Sequence, residues 1–235
     1  MSAPYFYIPA FNPEQTLITL EEASSRHIVQ VLRMKPGSPL QLTDGRGNLL
    51  TAVVEEDHKK KCIVRVKDLN TFPADSRKIT IGISLLKNTT RFEWFLEKAA
   101  ELGICEIVPL ICERTEKQQF RHERLKSILV SAMLQSRQSW LTLLREPVIF
   151  SRLIPPAGFA QKFIAHCTES AKISLTDAAN GNTDSQIILI GPEGDFTKQE
   201  IEAAVQDKFV AVTLGGTRLR SETAGVVAAT LLKMS

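Results

Sequence analysis

Apolar positions recur along this chain in two rhythms, and the change from one to the other divides it. Over the first 72 residues the rhythm is mainly the alternation of half-buried strands. Residues 40–43 and 49–54 alternate on either side of Asp44-Gly45-Arg46-Gly47, which predicts a hairpin closed by a tight turn. Residues 62–66 add a further strand. A helical spacing over 21–32, stopped by Met34-Lys35-Pro36-Gly37, predicts one short helix. Short strands with tight turns predict a small β-barrel domain over residues 1–72.

A polar, proline-containing connector over 73–78 follows, and after it the rhythm changes. Apolar runs at 79–86, 106–111, 162–166, 186–190 and 210–214 read as strands. Segments 91–102, 121–138, 198–206 and 222–233 read as helices, the first closed by Gly103. This alternation predicts an α/β domain over 79–235, with a mostly parallel sheet covered by helices on both faces. The polar stretch 178–184 reads as a loop.

Composition narrows the classes without choosing among them. A length of 235 residues suits two domains, and 43% hydrophobic residues suffice for a core. The net charge of +3 permits nucleic-acid binding but does not argue for it. Cys62, Cys105, Cys112 and Cys167 form no C-x-x-C pair, so neither a zinc site nor a disulfide framework is signalled. Scattered thiols fit a reducing cytoplasm. His27, His58, His122 and His166 are spread out and suggest no metal. No apolar stretch approaches the length of a membrane span, and no secretion signal opens the chain.

The candidate chemistry sits in two loops that leave apolar strands and enter helices, the place where open α/β sheets bind ligands. The first is Gly191-Pro192-Glu193-Gly194, after Ile190. Thr197 and Glu200 stand at capping-box spacing, so a helix begins at Lys198. Neither a P-loop lysine nor a dinucleotide fingerprint is present, and the turn also serves as a plain connection. The second loop runs from Leu214 and Gly215 to Arg218-Leu219-Arg220-Ser221-Glu222-Thr223-Ala224. Arg218 and Arg220 share one side of an extended segment and precede a helix N-terminus, an arrangement suited to a phosphate. A surface salt-bridge cluster is the alternative, and Glu222 serves either as a partner for an arginine or as a base. Lys98 and Glu101 form an i,i+3 pair on a solvated helix face. His166, at a strand end, either lines the pocket or is a satisfied structural histidine.

These two motifs resemble those of the RsmE family, 16S ribosomal RNA uracil-N3 methyltransferases of the SPOUT superfamily. Glu97-Lys98-Ala99-Ala100-Glu101-Leu102-Gly103, Ile107-Val108-Pro109-Leu110 with Glu113-Arg114, Gln135-Ser136 and His27-Ile28-Val29-Gln30-Val31-Leu32-Arg33 extend the likeness nearly end to end. Two departures stand out. Asp195 occupies a position where the family often has a small residue, and Arg137-Gln138-Ser139-Trp140-Leu141-Thr142 lacks the family's Leu-Pro pair.

The resemblance implies a PUA-like N-terminal barrel and a C-terminal domain with a deep trefoil knot. It implies S-adenosylmethionine as cofactor, held by Ile190, Gly191, Pro192, Glu193, Gly194, Leu214, Gly215, Leu219, Ser221, Thr223 and Ala224. It implies methyl transfer to uridine N3 in 16S ribosomal RNA of the small ribosomal subunit, by a cytoplasmic homodimer with no membrane or metal partner. Arg220 is the first candidate for stabilising the reacting base or its phosphate, Arg218 the second, and Glu222 the candidate base. Arg26, Arg33, Arg46 and Arg114 are the candidate RNA contacts. A non-catalytic RNA-binding or ribosome-assembly factor on the same fold is the alternative, separated from the enzyme by cofactor binding.

Overall fold

The computed structural model describes residues 3–154, 158–179 and 183–235. Part of the expected loop over 178–184 lies outside the described residues. The chain forms two compact units, Met1–Ala74 with Met133–Leu141, and Asp75–Ala132 with Thr142–Ser235.

The first unit contains β1 (Tyr5–Tyr7), β2 (Leu17–Thr19), α1 (Glu22–Arg26), β3 (Pro39–Thr43), β4 (Asn48–Glu56) and β5 (Ile63–Thr71). The strands form one sheet in the order β1-β3-β4-β5-β2, antiparallel except for the β1–β3 pair. Alternate residues of β4 and β5, among them Leu50, Ala52, Val54 and Val64, bury into a core with Phe6, Ile28, Leu40 and Leu42. The expected hairpin joins β3 to β4. Asp44 Oδ1 accepts the Arg46 N–H at 2.8 Å, an Asx turn that fixes the bend.

The helix expected over 21–32 is divided. After α1 the backbone widens into a π-helical turn over His27–Val31, where the Leu32 N–H donates to the His27 carbonyl at 2.9 Å. The wider turn buries Ile28 completely while leaving Val31 66% exposed.

Met133–Leu141 completes this unit through several long-range bonds. The Leu141 N–H donates to the Gly45 carbonyl at 2.9 Å, and the Gly47 N–H donates to the Ser139 carbonyl at 2.8 Å. Trp140 Nε1 donates to the carbonyls of Phe72 and Pro73 at 3.2 and 3.1 Å. A Cβ at Gly47 would lie 2.7 Å from the Trp140 ring and 2.5 Å from the Phe72 carbonyl oxygen, so only glycine fits under this indole.

The second unit begins with β6 (Lys78–Ser84), α2 (Thr89–Glu101), β7 (Glu106–Ile111) and α3 (His122–Gln135), whose last turn belongs to the first unit. Short elements β8 (Leu143–Leu144), β9 (Val148–Ile149) and α4 (Phe150–Leu153) follow, then β10 (Gln161–Ala165), β11 (Ile173–Ser174) and α5 (Leu175–Ala178). The unit ends with β12 (Ser185–Ile190), α6 (Lys198–Gln206), β13 (Val210–Thr213) and α7 (Ser221–Met234). The sheet is parallel, in the order β11-β13-β10-β12-β6-β7-β8, with β9 also on β7.

Both faces of the sheet are covered, which is why its central strands read as unbroken apolar runs. Ile187 and Leu189 of β12 pack with Phe196, Ala204 and Phe209 on one face. On the other face α7 lies against α2 and β6. A Cβ at Gly225 would stand 2.6 Å from the Phe95 ring and 3.1 Å from Ile83 Cδ1, so α7 seats at backbone distance. Lys98 pairs with Glu97 and Glu101 on the partly exposed side of α2.

Candidate functional site

Strands β10, β12 and β13 end level with one another, because Ala165 pairs in register with both Ile190 and Val212. The three loops beyond these ends, with the first turn of α7, line a cavity of about 540 Å³. That size is within the usual range of roughly 300–1,000 Å³ for small-molecule sites.

The loop after β12 is fastened from three directions. Glu193 Oε1 accepts the Lys87 N–H at 3.0 Å from the β6–α2 loop. Arg114 Nη1 donates to the Gly194 carbonyl at 2.7 Å and to the Phe196 carbonyl at 3.4 Å. Asp195 Oδ2 accepts the Cys167 N–H at 2.8 Å from the loop after β10. The expected capping box closes the loop: Thr197 Oγ1 accepts the Glu200 N–H at 3.3 Å, and Glu200 Oε2 accepts the Thr197 N–H at 2.8 Å.

The two glycines of this loop differ. A Cβ on Gly191 would lie 3.1 Å from the Phe196 N and ring, a tight contact that buried Phe196 would have to relax by a few tenths of an ångström to accept. On Gly194 it would meet Arg114 Cδ at 3.4 Å, an ordinary contact. Ile190, Gly191, Pro192 and Glu193 line the cavity, and Gly194 stands beside it under Arg114.

The loop after β13 opens the other wall. Gly215 has φ +144°, and no atom lies within 4 Å of where a Cβ on Gly215 or Gly216 would be. Leu214, Gly215, Arg218, Leu219, Arg220, Ser221 and Ala224 line the cavity, whereas Thr223 does not. Arg218 and Arg220 are exposed, and neither guanidinium makes a hydrogen bond or ion pair among the described residues. With the N-terminus of α7 they give this wall a surplus of positive charge and N–H donors.

Glu222 sits elsewhere. It is 7% exposed, its Oε1 stands 3.6 Å from Arg91 Nε of α2, and it does not line the cavity. Helical geometry accounts for this: residues 221 and 224 share one face of α7, and 222 and 225 the face against α2. Of the arginines singled out for RNA, Arg26, Arg33 and Arg46 are exposed in the first unit, Arg26 paired with Glu22 at 2.6 Å.

The third wall comes from the loop after β10, where His166, Cys167 and Lys172 also line the cavity. Lys172 Nζ donates to the carbonyls of His166 and Thr168 at 3.0 and 2.8 Å. His166 Nδ1 stands 2.7 Å from Thr168 Oγ1, and its buried Nε2 has no partner among the described residues. Burial pushes the imidazole pKa below its ordinary value, Lys172 adds to that, and Asp195 opposes it. Cys167 and Lys172 carry no local motif; only the adjacency of β10 to β12 and β13 brings them to the site. Among the described residues, no cluster of three or more His, Cys, Asp or Glu is placed to hold a metal ion.

Residues 73–233 match the family described as RNA methyltransferase domain, and residues 20–67 match the RNA methyltransferase PUA domain. The chain is 29% identical over 226 residues to the ribosomal RNA small subunit methyltransferase E of Synechocystis, covering 92% of this chain and 73% of that protein. A probable rRNA-methyltransferase from Porphyromonas gingivalis has a solved structure that is 37% identical, with a TM-score of 0.89 and coverage of 97% of this chain and 95% of the other. The ribosomal RNA small subunit methyltransferase E of Neisseria gonorrhoeae, solved bound to S-adenosyl methionine, is 28% identical, with a TM-score of 0.88 and coverage of 99% and 98%.

Proposed function

This chain belongs to the RNA methyltransferase family, and from that premise we propose that it methylates N3 of a uridine in small-subunit ribosomal RNA, using S-adenosylmethionine. The observation that carries the reading is the cavity at the level ends of β10, β12 and β13, one wall of which, the loop after β13, has open glycine backbone at Gly215 and Gly216. The cavity's size and its mixture of Glu193 with Arg218 and Arg220 suit a ligand that carries both signs of charge. Gly191, Leu214, Gly215 and the neighbouring backbone would hold the cofactor, which when bound supplies an electrophilic methyl group.

The uracil N3–H is a weak acid, so methylation requires loss of its proton and stabilisation of the anion. In this proposal Arg220 and Arg218 stabilise that charge or the adjoining phosphate, because their guanidiniums are free and face the cavity. Glu222 enters as the partner of Arg91 rather than as the base, since it is itself buried, stands beside that half-exposed arginine and does not line the cavity. Arg26, Arg33 and Arg46 add phosphate contacts from the first unit.

The knot implied by the family resemblance is part of the reading. It is supported by the return of the chain from β13, beyond β10, to α7 on α2 and β6. We also propose a homodimer. Its support is the outward side of α7, where Val226, Val227, Thr230 and Leu231 are half-buried and Met234 is 81% exposed. No helix among the described residues is long and apolar enough to cross a membrane, and the proposed substrate puts the protein in the cytoplasm.

The test is transfer of labelled methyl from S-adenosylmethionine to small-subunit RNA and to the assembled subunit, followed by mapping of the base. Cofactor binding without transfer to either would favour an RNA-binding factor on the same fold.

A further inference from the structure

Arg114 stands on the turn after β7, where sequence reasoning placed it among the RNA contacts. Its guanidinium instead points at the backbone of the loop after β12, on the Gly194 and Phe196 carbonyls. The turn that carries it is itself anchored. Thr115 Oγ1 accepts the Cys112 N–H at 2.8 Å and lies 2.9 Å from the Oγ of Ser84, a fully buried residue at the end of β6. One residue before Arg114, the Glu113 N–H donates to Glu200 Oε1 at 2.9 Å, while the other oxygen of Glu200 holds Thr197. Two adjacent residues of one turn therefore grip both ends of the Gly194–Thr197 segment.

We infer that Arg114 is a positioning residue for the cofactor-binding loop: it fixes the Gly191–Asp195 backbone against the cavity and does not serve as an RNA contact. The inference rests on the reading that this cavity takes S-adenosylmethionine. Without Arg114 the Gly194 and Phe196 carbonyls lose this side-chain donor, and the loop keeps the Lys87 and Cys167 ties and its Thr197–Glu200 cap. A loop free to sample other backbone conformations binds a ligand more weakly, because ordering it then opposes binding.

Arg114→Met keeps the aliphatic stem that covers Gly194 and removes every donor. Calorimetry without RNA is expected to give a Kd for S-adenosylmethionine raised about tenfold, the scale of one charged hydrogen bond. RNA affinity of the cofactor-free variant, and its salt slope, should stay at wild-type values, and kcat should recover at saturating cofactor. Arg114→Lys should give an intermediate cofactor Kd. An unchanged cofactor Kd in Arg114→Met overturns the inference, as does weaker RNA binding with a salt slope shallower by about one, the signature of a lost phosphate contact. If the Met variant does not fold, a wild-type cofactor Kd in Arg114→Lys overturns it. A wild-type protein that binds no S-adenosylmethionine overturns the inference and the functional reading together.

Discussion

Asp195 and Cys167 join two walls of the cavity: the Asp195 carboxylate accepts the Cys167 backbone N–H at 2.8 Å, across from one strand end to the next. Its other oxygen accepts the Phe196 N–H, also at 2.8 Å. Asp195 has φ +64°, a conformation that suits glycine. The side chain thus compensates for a backbone that would favour its absence.

Two opposing effects set the outcome of changing it. Glycine relieves about 1–2 kcal/mol of left-handed strain, but the lost charge-assisted bonds are worth about 1.5–3 kcal/mol each. Asp195→Ala loses the bonds and keeps the strain. Thermal unfolding should therefore rank wild type above Asp195→Gly, and Asp195→Gly above Asp195→Ala. A Gly variant more stable than wild type would show that the Cys167 tie contributes little.

The glycines of the two loops should separate by mechanism. Gly191→Val drives a side chain into buried Phe196 and should lower stability by about 1–3 kcal/mol, with cofactor affinity falling as well. Gly216→Ala meets no protein atom. Its denaturation midpoint should match wild type, so any loss of cofactor affinity there reports the approach of the ligand. A Gly191→Val protein with the wild-type midpoint would contradict the Phe196 contact.

Gly225 poses a contest of magnitudes. Alanine improves helix propensity by about 1 kcal/mol, yet its Cβ would overlap the Phe95 ring at 2.6 Å. Overpacking of that severity costs about 1–3 kcal/mol, so Gly225→Ala should destabilise despite the better helix former, and Gly225→Leu more so. Urea denaturation that finds the alanine variant more stable would mean that α7 can shift away from α2 at little cost.

Arg220→Ala should leave the fold and cofactor binding intact, because only the backbone carbonyl of Arg220 caps α7. Turnover should fall by about 2–4 kcal/mol in transition-state stabilisation. Single-turnover methylation at the wild-type rate would remove Arg220 from the proposed chemistry.

His166 gives the protein a pH dependence of definite sign. Burial, then Lys172, lowers its folded pKa beneath the unfolded value of 6.5, so the unfolded chain binds the proton more readily. The stabilisation is complete above 6.5 and is lost as the pH falls through the folded pKa. His166→Gln should flatten the acid limb of the Tm profile below pH 6.5, and an unaltered limb would assign it to other groups.

How far the sequence reaches can be followed through these residues. The loops after β12 and β13 were legible because each is a local pattern, an apolar run followed by glycine and a helix start; Thr197 and Glu200 even mark the cap. His166 was a pocket candidate from its place at a strand end, but Cys167 and Lys172 were not legible, since strand adjacency is a long-range property that no window records. The pattern also shows that Ser221 and Glu222 lie on different faces of α7. Which face meets the cavity depends on Phe95 and Arg91, more than a hundred positions away. The RsmE resemblance was readable from the motifs, and the similarity to ribosomal RNA methyltransferases extends along almost the whole chain.

The return of Met133–Leu141 to the first unit bears on how the protein is made. When residues 1–74 have left the ribosome, Gly45 and Gly47 still lack the backbone partners that Leu141 and Ser139 provide, and the indole that covers Gly47 has not been synthesised. The first-translated unit is therefore completed only after a further sixty or so residues have emerged. Excising residues 1–72 likewise does not release an independent second unit, because it strands 133–141 without its sheet. A separation that respects the fold carries both segments together, for instance by joining residue 74 to residue 133 through a short flexible linker.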